Sequence, residues 1–559
     1  MKKLLCILLS LLLLTGCAPT SPAETTAPVQ TTPVKPTVPP TDPVLEGTET
    51  VIVLSDDGIT VDGGSETDGV YTSHDIIYYE DRETYDSGNP YGEGKAADRH
   101  SADEAAAHTV VNITKPGSYV LSGKLAAGQI RVDLGEDAED DPTAVVNLIL
   151  NGVDITCTVA PAIVFLNVYE CDGDRDADTA SPDVDTSAAG ANLILAAESE
   201  NTVHGSYVAK IYKDKKGEKK LWKQDGAIYS YMSMNVAGTG SLELNAENEG
   251  LDTELHLTVN GGNIVIRSGN DGINTNEDDV SVTTINGGRI HILAGLGAEG
   301  DGIDSNGYLV INGGTVISCA NPASDAGLDS SLGSFIHGGT VMAFGSSMDW
   351  AESDSEQVTM NLQFAQYCEA GSSITVTDEK GKEIFSFDPN TDPVLKECLR
   401  RFQGAILSCP NFQIGATYQV YLNGIRQAYT DTDVTQMRPG PGGFGGGQRP
   451  DGFGGGWGQQ NGQPPELPEG ETFPQGEMPD MPEGGFGQMP GGEMPTLPEG
   501  ETMPDGTGGP GGMESPGGFG GGQRPGDMGQ MPTGEAKHLF YMQDKVNFFS
   551  GLTAYTPAE

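Results

Sequence analysis

The stretch Asn260-Gly261-Gly262-Asn263-Ile264-Val265-Ile266-Arg267 decides the fold, because it recurs at a fixed interval. Asn286-Gly287-Gly288 and Asn312-Gly313-Gly314 repeat its opening and His337-Gly338-Gly339 varies it, from 260 to 286 to 312 to 337 in steps of 26, 26 and 25. After each Gly-Gly comes a short β-branched run: Arg289-Ile290-His291-Ile292-Leu293, Thr315-Val316-Ile317-Ser318-Cys319 and Thr340-Val341-Met342-Ala343-Phe344. These runs are too short for helices and alternate as strands do. A second signature keeps step: Gly250-Leu251-Asp252-Thr253, Gly272-Ile273-Asn274-Thr275, Gly302-Ile303-Asp304-Ser305 and Gly327-Leu328-Asp329-Ser330. A period in the twenties means a solenoid, whose repeats bury their apolar faces only by stacking. The L-x-x-L-x-L spacing of a leucine-rich repeat is absent. The pattern therefore predicts an all-β parallel β-helix.

In that fold, period-2 alternation sends Ile264, Ile290, Val316 and Val341 inward, with Ile266, Ile292, Ser318 and Ala343 beside them. The two Gly-containing signatures mark corners, where glycine tolerates positive φ. Asn260, Asn286 and Asn312 form a row, and stacked asparagines bond one another up a ladder. His291, between Val265 and Ile317, reads as a packed surface residue. The clear repeats run from about Gly238 to Ser346.

Outward from the repeats, Ile76-Ile77-Tyr78-Tyr79 opens the globular part, and strand-like segments follow at Ser118–Leu121, Gln129–Val132, Val145–Leu150, Ala162–Phe165 and Asn192–Ala196. Asp172 to Gly190 reads as a surface excursion, and Lys213 to Lys220 as a charged loop. Ser373–Thr377, Glu383–Phe387 and Thr417–Leu422 look like strands of a C-terminal cap, which an open solenoid end requires. The domain so defined spans 49–437. Residues 438–536 are Gly/Pro/Met-rich and too poor in apolar side chains to offset their ordering entropy. In 537–559 apolar character returns at His538-Leu539-Phe540-Tyr541-Met542, suggesting a final strand.

Lys2, Lys3 and the apolar run Leu4–Leu14 read as a secretory signal, too short for a membrane span. Leu14-Thr15-Gly16-Cys17 resembles the lipobox of bacterial lipoproteins, which implies lipidation at Cys17 and cleavage after 1–17. The Pro/Thr-rich stretch 18–48 then reads as an extended tether. The expected location is extracellular, lipid-anchored to a bacterial membrane, most simply a Gram-positive one. Eighty acidic against 30 basic residues give a net charge of −50, which argues against nucleic acid as a partner. No close Cys-x-x-Cys pair is present, so zinc and redox readings are weak. Cys398 and Cys409 are near enough in sequence to pair, which sequence alone leaves open.

Stacking coils about 4.8 Å apart turns the tetrads into a row, Asp252, Asn274, Asp304 and Asp329. Glu249, Asp271, Asp301 and Ala326 make a second. Two charges at that distance repel by about 0.9 kcal/mol in water and about 3.5 kcal/mol at an effective dielectric of 20. Carboxylate and amide oxygens are the hard donors that Ca²⁺ prefers. The candidate calcium ligands are Asp252, Asp271, Asn274, Asp301 and Asp304, with Glu277, Asp278 and Asp279 behind them. The competing reading makes them caps of turn amides.

The order of features resembles a bacterial family of carbohydrate-binding domain proteins, right-handed β-helices akin to pectate lyases. Carrying the resemblance are Gly117-Ser118-Tyr119-Val120-Leu121-Ser122-Gly123, Leu148-Ile149-Leu150-Asn151-Gly152-Val153, Asp225-Gly226-Ala227-Ile228-Tyr229-Ser230 and the Asp-Gly-Ile repeats, over about Ile76 to Gly424. The resemblance implies a calcium-binding, non-catalytic binder of plant polysaccharides such as cellulose or polygalacturonate. Ala326 departs from the family's acidic corners. The relation to pectate lyases makes calcium-dependent lyase action on uronides the alternative, with Arg267 or Arg289 as base. Trp222, Tyr229, Tyr231 and Trp350 are candidate platforms for a sugar. A surface adhesin or scaffold for an unidentified protein partner is the third possibility.

Overall fold

The computed structural model describes residues 47–79, 98–209, 223–346, 349–391, 400–430 and 536–557, together with the backbone of the short strands Ile211–Tyr212 and Lys219–Lys220. The signal segment, the tether up to residue 46, most of the Lys213–Lys220 cluster, Trp222, Cys398 and the Gly/Pro/Met-rich tract lie outside the described residues.

Almost all regular structure is β, and parallel pairing dominates it. Three stacks of parallel strands account for the repeats. The first contains Thr109–Ile113, Gly128–Asp133, Ile163–Asn167, Gly226–Ser230, Glu249–Thr253, Ile273–Thr275, Ile303–Ser305 and Leu328–Ser330. The second includes Ala191–Leu195, Met234–Gly238, Leu257–Val259, Val282–Ile285, Tyr308–Ile311 and Gly333–Ile336. The third includes Glu200–Gly205, Ser241–Ala246, Asn263–Ser268, Arg289–Leu293, Thr315–Cys319 and Thr340–Gly345. Each turn of chain visits the three stacks in that order, which is the pairing of a β-helix or solenoid.

Register follows the sequence period. Ile264, Ile290, Val316 and Val341 pair in succession and are completely buried, as are Ile266, Ser318 and Ala343. Each such aliphatic side chain contributes roughly 1.5–3 kcal/mol by leaving water. Ser318 stands among them because its hydroxyl donates to the Gly327 carbonyl at 2.7 Å. The asparagine ladder is present: Asn286 Nδ2 donates to Asn260 Oδ1, and Asn312 Nδ2 to Asn286 Oδ1, each at 2.9 Å.

The two glycine signatures turn out to have different causes. Gly262, Gly288, Gly314 and Gly339 have φ of 100°, 88°, 80° and 84°, which only glycine adopts cheaply. Gly250, Gly272, Gly302 and Gly327 are not left-handed; they are needed for space, since a Cβ on Gly272 would lie 2.2 Å from the Ile292 side chain.

The globular part opens before Ile76. Thr50–Leu54 already pairs in parallel with Gly117–Leu125, whereas Ile76 to Tyr79 is packed but not extended into a strand. Asp172 to Gly190 carries no strand. It is fastened to the coils by Arg175 to Glu277 at 2.7 Å and by Thr186 Oγ1 to Asn235 and Thr258, both at 2.7 Å.

Beyond the repeats, Phe402–Ser408 runs antiparallel to Thr340–Gly345 and to Thr359–Cys368. Ile374–Asp378, Glu383–Phe387 and Thr417–Leu422 form an antiparallel sheet. The C-terminal residues return to this region. Phe540–Tyr541 pairs with Thr417–Leu422, and Val546–Ala554 pairs with both Thr359–Cys368 and Ile425–Ala428. A second core forms here, with Phe540, Phe549 and Leu552 buried in it.

Candidate functional site

The first stack places Asp252 opposite Asn274, Asn274 opposite Asp304, and Asp304 opposite Asp329. Asp252 is completely buried and Asn274 nearly so, whereas Asp304 and Asp329 are half-buried. The second acidic row also stacks, since the amides of Gly250, Gly272 and Gly302 donate to the carbonyls of Asp271, Asp301 and Ala326 in turn.

Capping accounts for part of this row. Asp271 Oδ1 accepts the amide N–H of Asp301, and Asp301 Oδ1 that of Ala326, both at 2.6 Å. It does not account for Asp252. Oδ1 of Asp252 accepts from Asn276 Nδ2 at 2.6 Å, while Oδ2 is buried with no hydrogen-bond partner among the described residues. A buried carboxylate oxygen without a donor is costly.

The electrostatics follow from the crowding. Burial raises the pKa of Asp252, Asp271 and Asp301 well above the carboxylate range. Neighbouring acids add to it: Glu249 on Asp252, Asp304 and Glu249 on Asp271, and Asp329 and Asp304 on Asp301. Glu249 is pushed up by burial and by Asp225, and Asp349 by burial and by Asp329.

Among the described residues, one cation enters this cluster. Lys223 Nζ lies 2.9 Å from Asp225 and 3.1 Å from Asn276 Oδ1. Burial alone would lower its pKa, but Asp225, Glu249 and Asp252 outweigh that and hold the ammonium protonated. Lys223 is therefore poorly suited to take up a proton as a base.

Sequence reasoning missed Lys223, Asp225, Asn276, Asn306 and Asp349. Asp225 was legible as the acid of Asp225-Gly226-Ala227-Ile228, matching Asp271-Gly272 and Asp301-Gly302. Asn276 and Asn306 each follow the tetrad's third residue by two, hence on the same side of the chain. No signal marked Lys223: Asp225 is its near neighbour in sequence, but Glu249, Asp252 and Asn276 belong to later coils.

Three of the candidate ligands stand outside the buried row. Glu277 turns to Arg175, and Asp278 and Asp279 are exposed on the turn that follows Asn276. Among the described residues no three His, Cys, Asp or Glu side chains converge on one point as a ligand set; the acids are spread along the axis. The donors nevertheless fit calcium chemically. They are carboxylate and amide oxygens with an excess of negative charge and one unpartnered buried oxygen, and Ca²⁺ accepts carbonyls to complete its six to eight ligands.

One of the aromatic candidates needs correction. Tyr229 is completely buried, donates to Glu254, and offers no face to a sugar. Tyr231 packs edge-on against it at 5.2 Å. Trp350 is half-buried and stacks on Phe548 of the C-terminal strand at 4.1 Å. Arg267 is paired with Glu243 at 2.9 Å on the third stack, and Arg289 is exposed there. His291 is buried in its row beside Val265 and Ile317.

Residues 107–173 and 176–382 match the model of the family of carbohydrate-binding domain-containing proteins. A carbohydrate-binding domain-containing protein of Acetivibrio thermocellus is 32% identical over 159 residues. That match covers 28% of this chain and 45% of the relative, so the chain spans less than half the relative's length. A solved structure of a polysaccharide lyase-like protein from C. thermocellum, a gadolinium derivative, is similar at 24% identity with a TM-score of 0.31, covering 52% of this chain and 92% of that one.

Proposed function

We propose that this protein binds polysaccharide without cleaving it, and that calcium held on the acidic row of the first stack supports the binding. The match to the carbohydrate-binding family model supports the polysaccharide. The observation that carries the calcium is the buried, unpartnered Oδ2 of Asp252 within a row of acids that raise one another's pKa. Asp252, Asn274, Asp271, Asp301 and Asp304 would hold the ion, with Lys223 neutralising the Asp225 end. Bound calcium would supply positive charge that lets the acids ionise without repelling one another.

In this reading the parallel coils wind right-handed and the C-terminal antiparallel sheets cap them. Lipidation at Cys17 places the domain outside the cell on a Gram-positive membrane, facing plant-type glycans such as cellulose or polygalacturonate. Pulldown on insoluble cellulose and on polygalacturonate, with calcium and with chelator, tests it. Retention on either that chelator weakens is expected, without unsaturated uronide product. No retention on either, or calcium-dependent release of that product, overturns it.

A further inference from the structure

We infer that the glycan lies on the outward face of the second stack, from Asn192 to Phe335, and that it is uncharged. This rests on the polysaccharide-binding reading above but not on its calcium.

Two outward rows run along this face. Asn192, Asn235, Thr258, Thr284, Val310 and Phe335 stand opposite one another on six successive strands. Five coil spacings of about 4.8 Å give the row a length of about 24 Å. Beside it runs a second row that begins with Ile194 and Ala237 and continues into the ladder of Asn260, Asn286 and Asn312.

The near end of the face is a groove walled by Val184 to Ser187 of the excursion. The wall is fixed in place: Thr186 Oγ1 donates toward Asn235 Oδ1, and Asn235 Nδ2 returns a bond to the Thr186 carbonyl at 2.8 Å. Amides, hydroxyls and small apolar groups line the groove. Asp185, exposed at the rim, is its single ionisable lining residue.

The far end is aromatic. Phe335 lies 6.1 Å from Tyr308 and 6.0 Å from His337, the latter ring inclined by 22°, and all three are half-buried. Hydroxyl and amide donors that lead onto aromatic rings suit a chain of hydroxylated rings, which presents polar edges and apolar faces. On a protein of charge −50, a groove lined without lysine, arginine or histidine offers nothing to the carboxylates of a polyuronate. The chemistry therefore selects a neutral glycan, and it places glycan and acidic row on different stacks.

The test is titration of the calcium-loaded protein with a soluble β-1,4-gluco-oligosaccharide and, separately, with an oligogalacturonide. Two variants accompany it: Phe335→Ala, which removes the ring, and Ala237→Glu, which puts a charged side chain on the groove floor. The parent should bind the gluco-oligosaccharide more tightly than the oligogalacturonide. Each variant should weaken gluco-oligosaccharide binding at least tenfold with its melting temperature and calcium response kept. Phe335→Ala carries the test if Ala237→Glu does not fold. A parent that binds the neutral sugar while the folded variants bind it equally well overturns this inference and leaves the polysaccharide-binding reading intact. Preference for the oligogalacturonide overturns the ligand class, and binding of neither sugar, nor of the insoluble polymers, overturns both readings.

Discussion

Lys223 Nζ lies 2.9 Å from Asp225, on the coil preceding Asp252, and the charges of Asp225, Glu249 and Asp252 together hold it protonated despite its burial. The lysine is the cation that makes this end of the acidic row tolerable. Lys223→Met leaves three acids without it, and losing the charged hydrogen bonds of this half-buried pair costs about 1.5–3 kcal/mol. We expect urea denaturation without calcium to show a loss of that order at pH 7.

His256 gives the stability curve an acid limb. Burial drives its pKa from 6.5 down to about 4, with Arg175 adding to the fall and Asp172 opposing it. Its Nδ1 accepts the Val282 amide at 3.0 Å, and its Nε2 is buried without a partner among the described residues. The unfolded chain therefore takes up this proton first as pH falls through 6.5. Stability present above that pH is lost toward pH 4, by roughly 3 kcal/mol. The raised acids slope the other way, so the comparison is with His256→Gln. Chemical denaturation at pH 7 and pH 4.5 should show a smaller loss for the variant than for the parent.

The asparagine ladder is structural. Asn286→Ala removes two side-chain bonds at once and leaves Asn260 Oδ1 and Asn312 Nδ2 without their partners in it. A loss of about 2 kcal/mol is expected, measured by denaturant midpoint.

The period, the interior stacks and the acidic row were legible because a solenoid turns distance along the chain into register. Asp252, Asn274 and Asp304 could be aligned before any coordinates were known. What was not legible depended on contacts outside the period. Lys223 precedes the clear repeats, Glu277 is drawn to an arginine about a hundred residues away, and Tyr229 looked like any strand tyrosine until its neighbours buried it. The groove was hidden for the same reason, since its wall comes from an excursion with no repeat of its own.

The C-terminal strand is a further consequence of long-range pairing. Val546–Ala554 pairs with Thr359–Cys368 across the low-complexity tract and buries Phe549 and Leu552. A protease site engineered into residues 440–530 should, once cut, leave two fragments that elute together on size exclusion. Deleting 536–559 should lower the melting temperature and promote aggregation, because it exposes a strand edge.

The central claim is that the acidic row takes a cation, and titration calorimetry of the chelator-stripped full chain with Ca²⁺ tests it most directly, run beside Asp252→Asn. Binding heat and a higher melting temperature are expected for the parent, with affinity at least tenfold weaker in the variant. No heat and no thermal shift in the parent would contradict the account and leave these acids as caps of turn amides, as Asp271 Oδ1 and Asp301 Oδ1 already are.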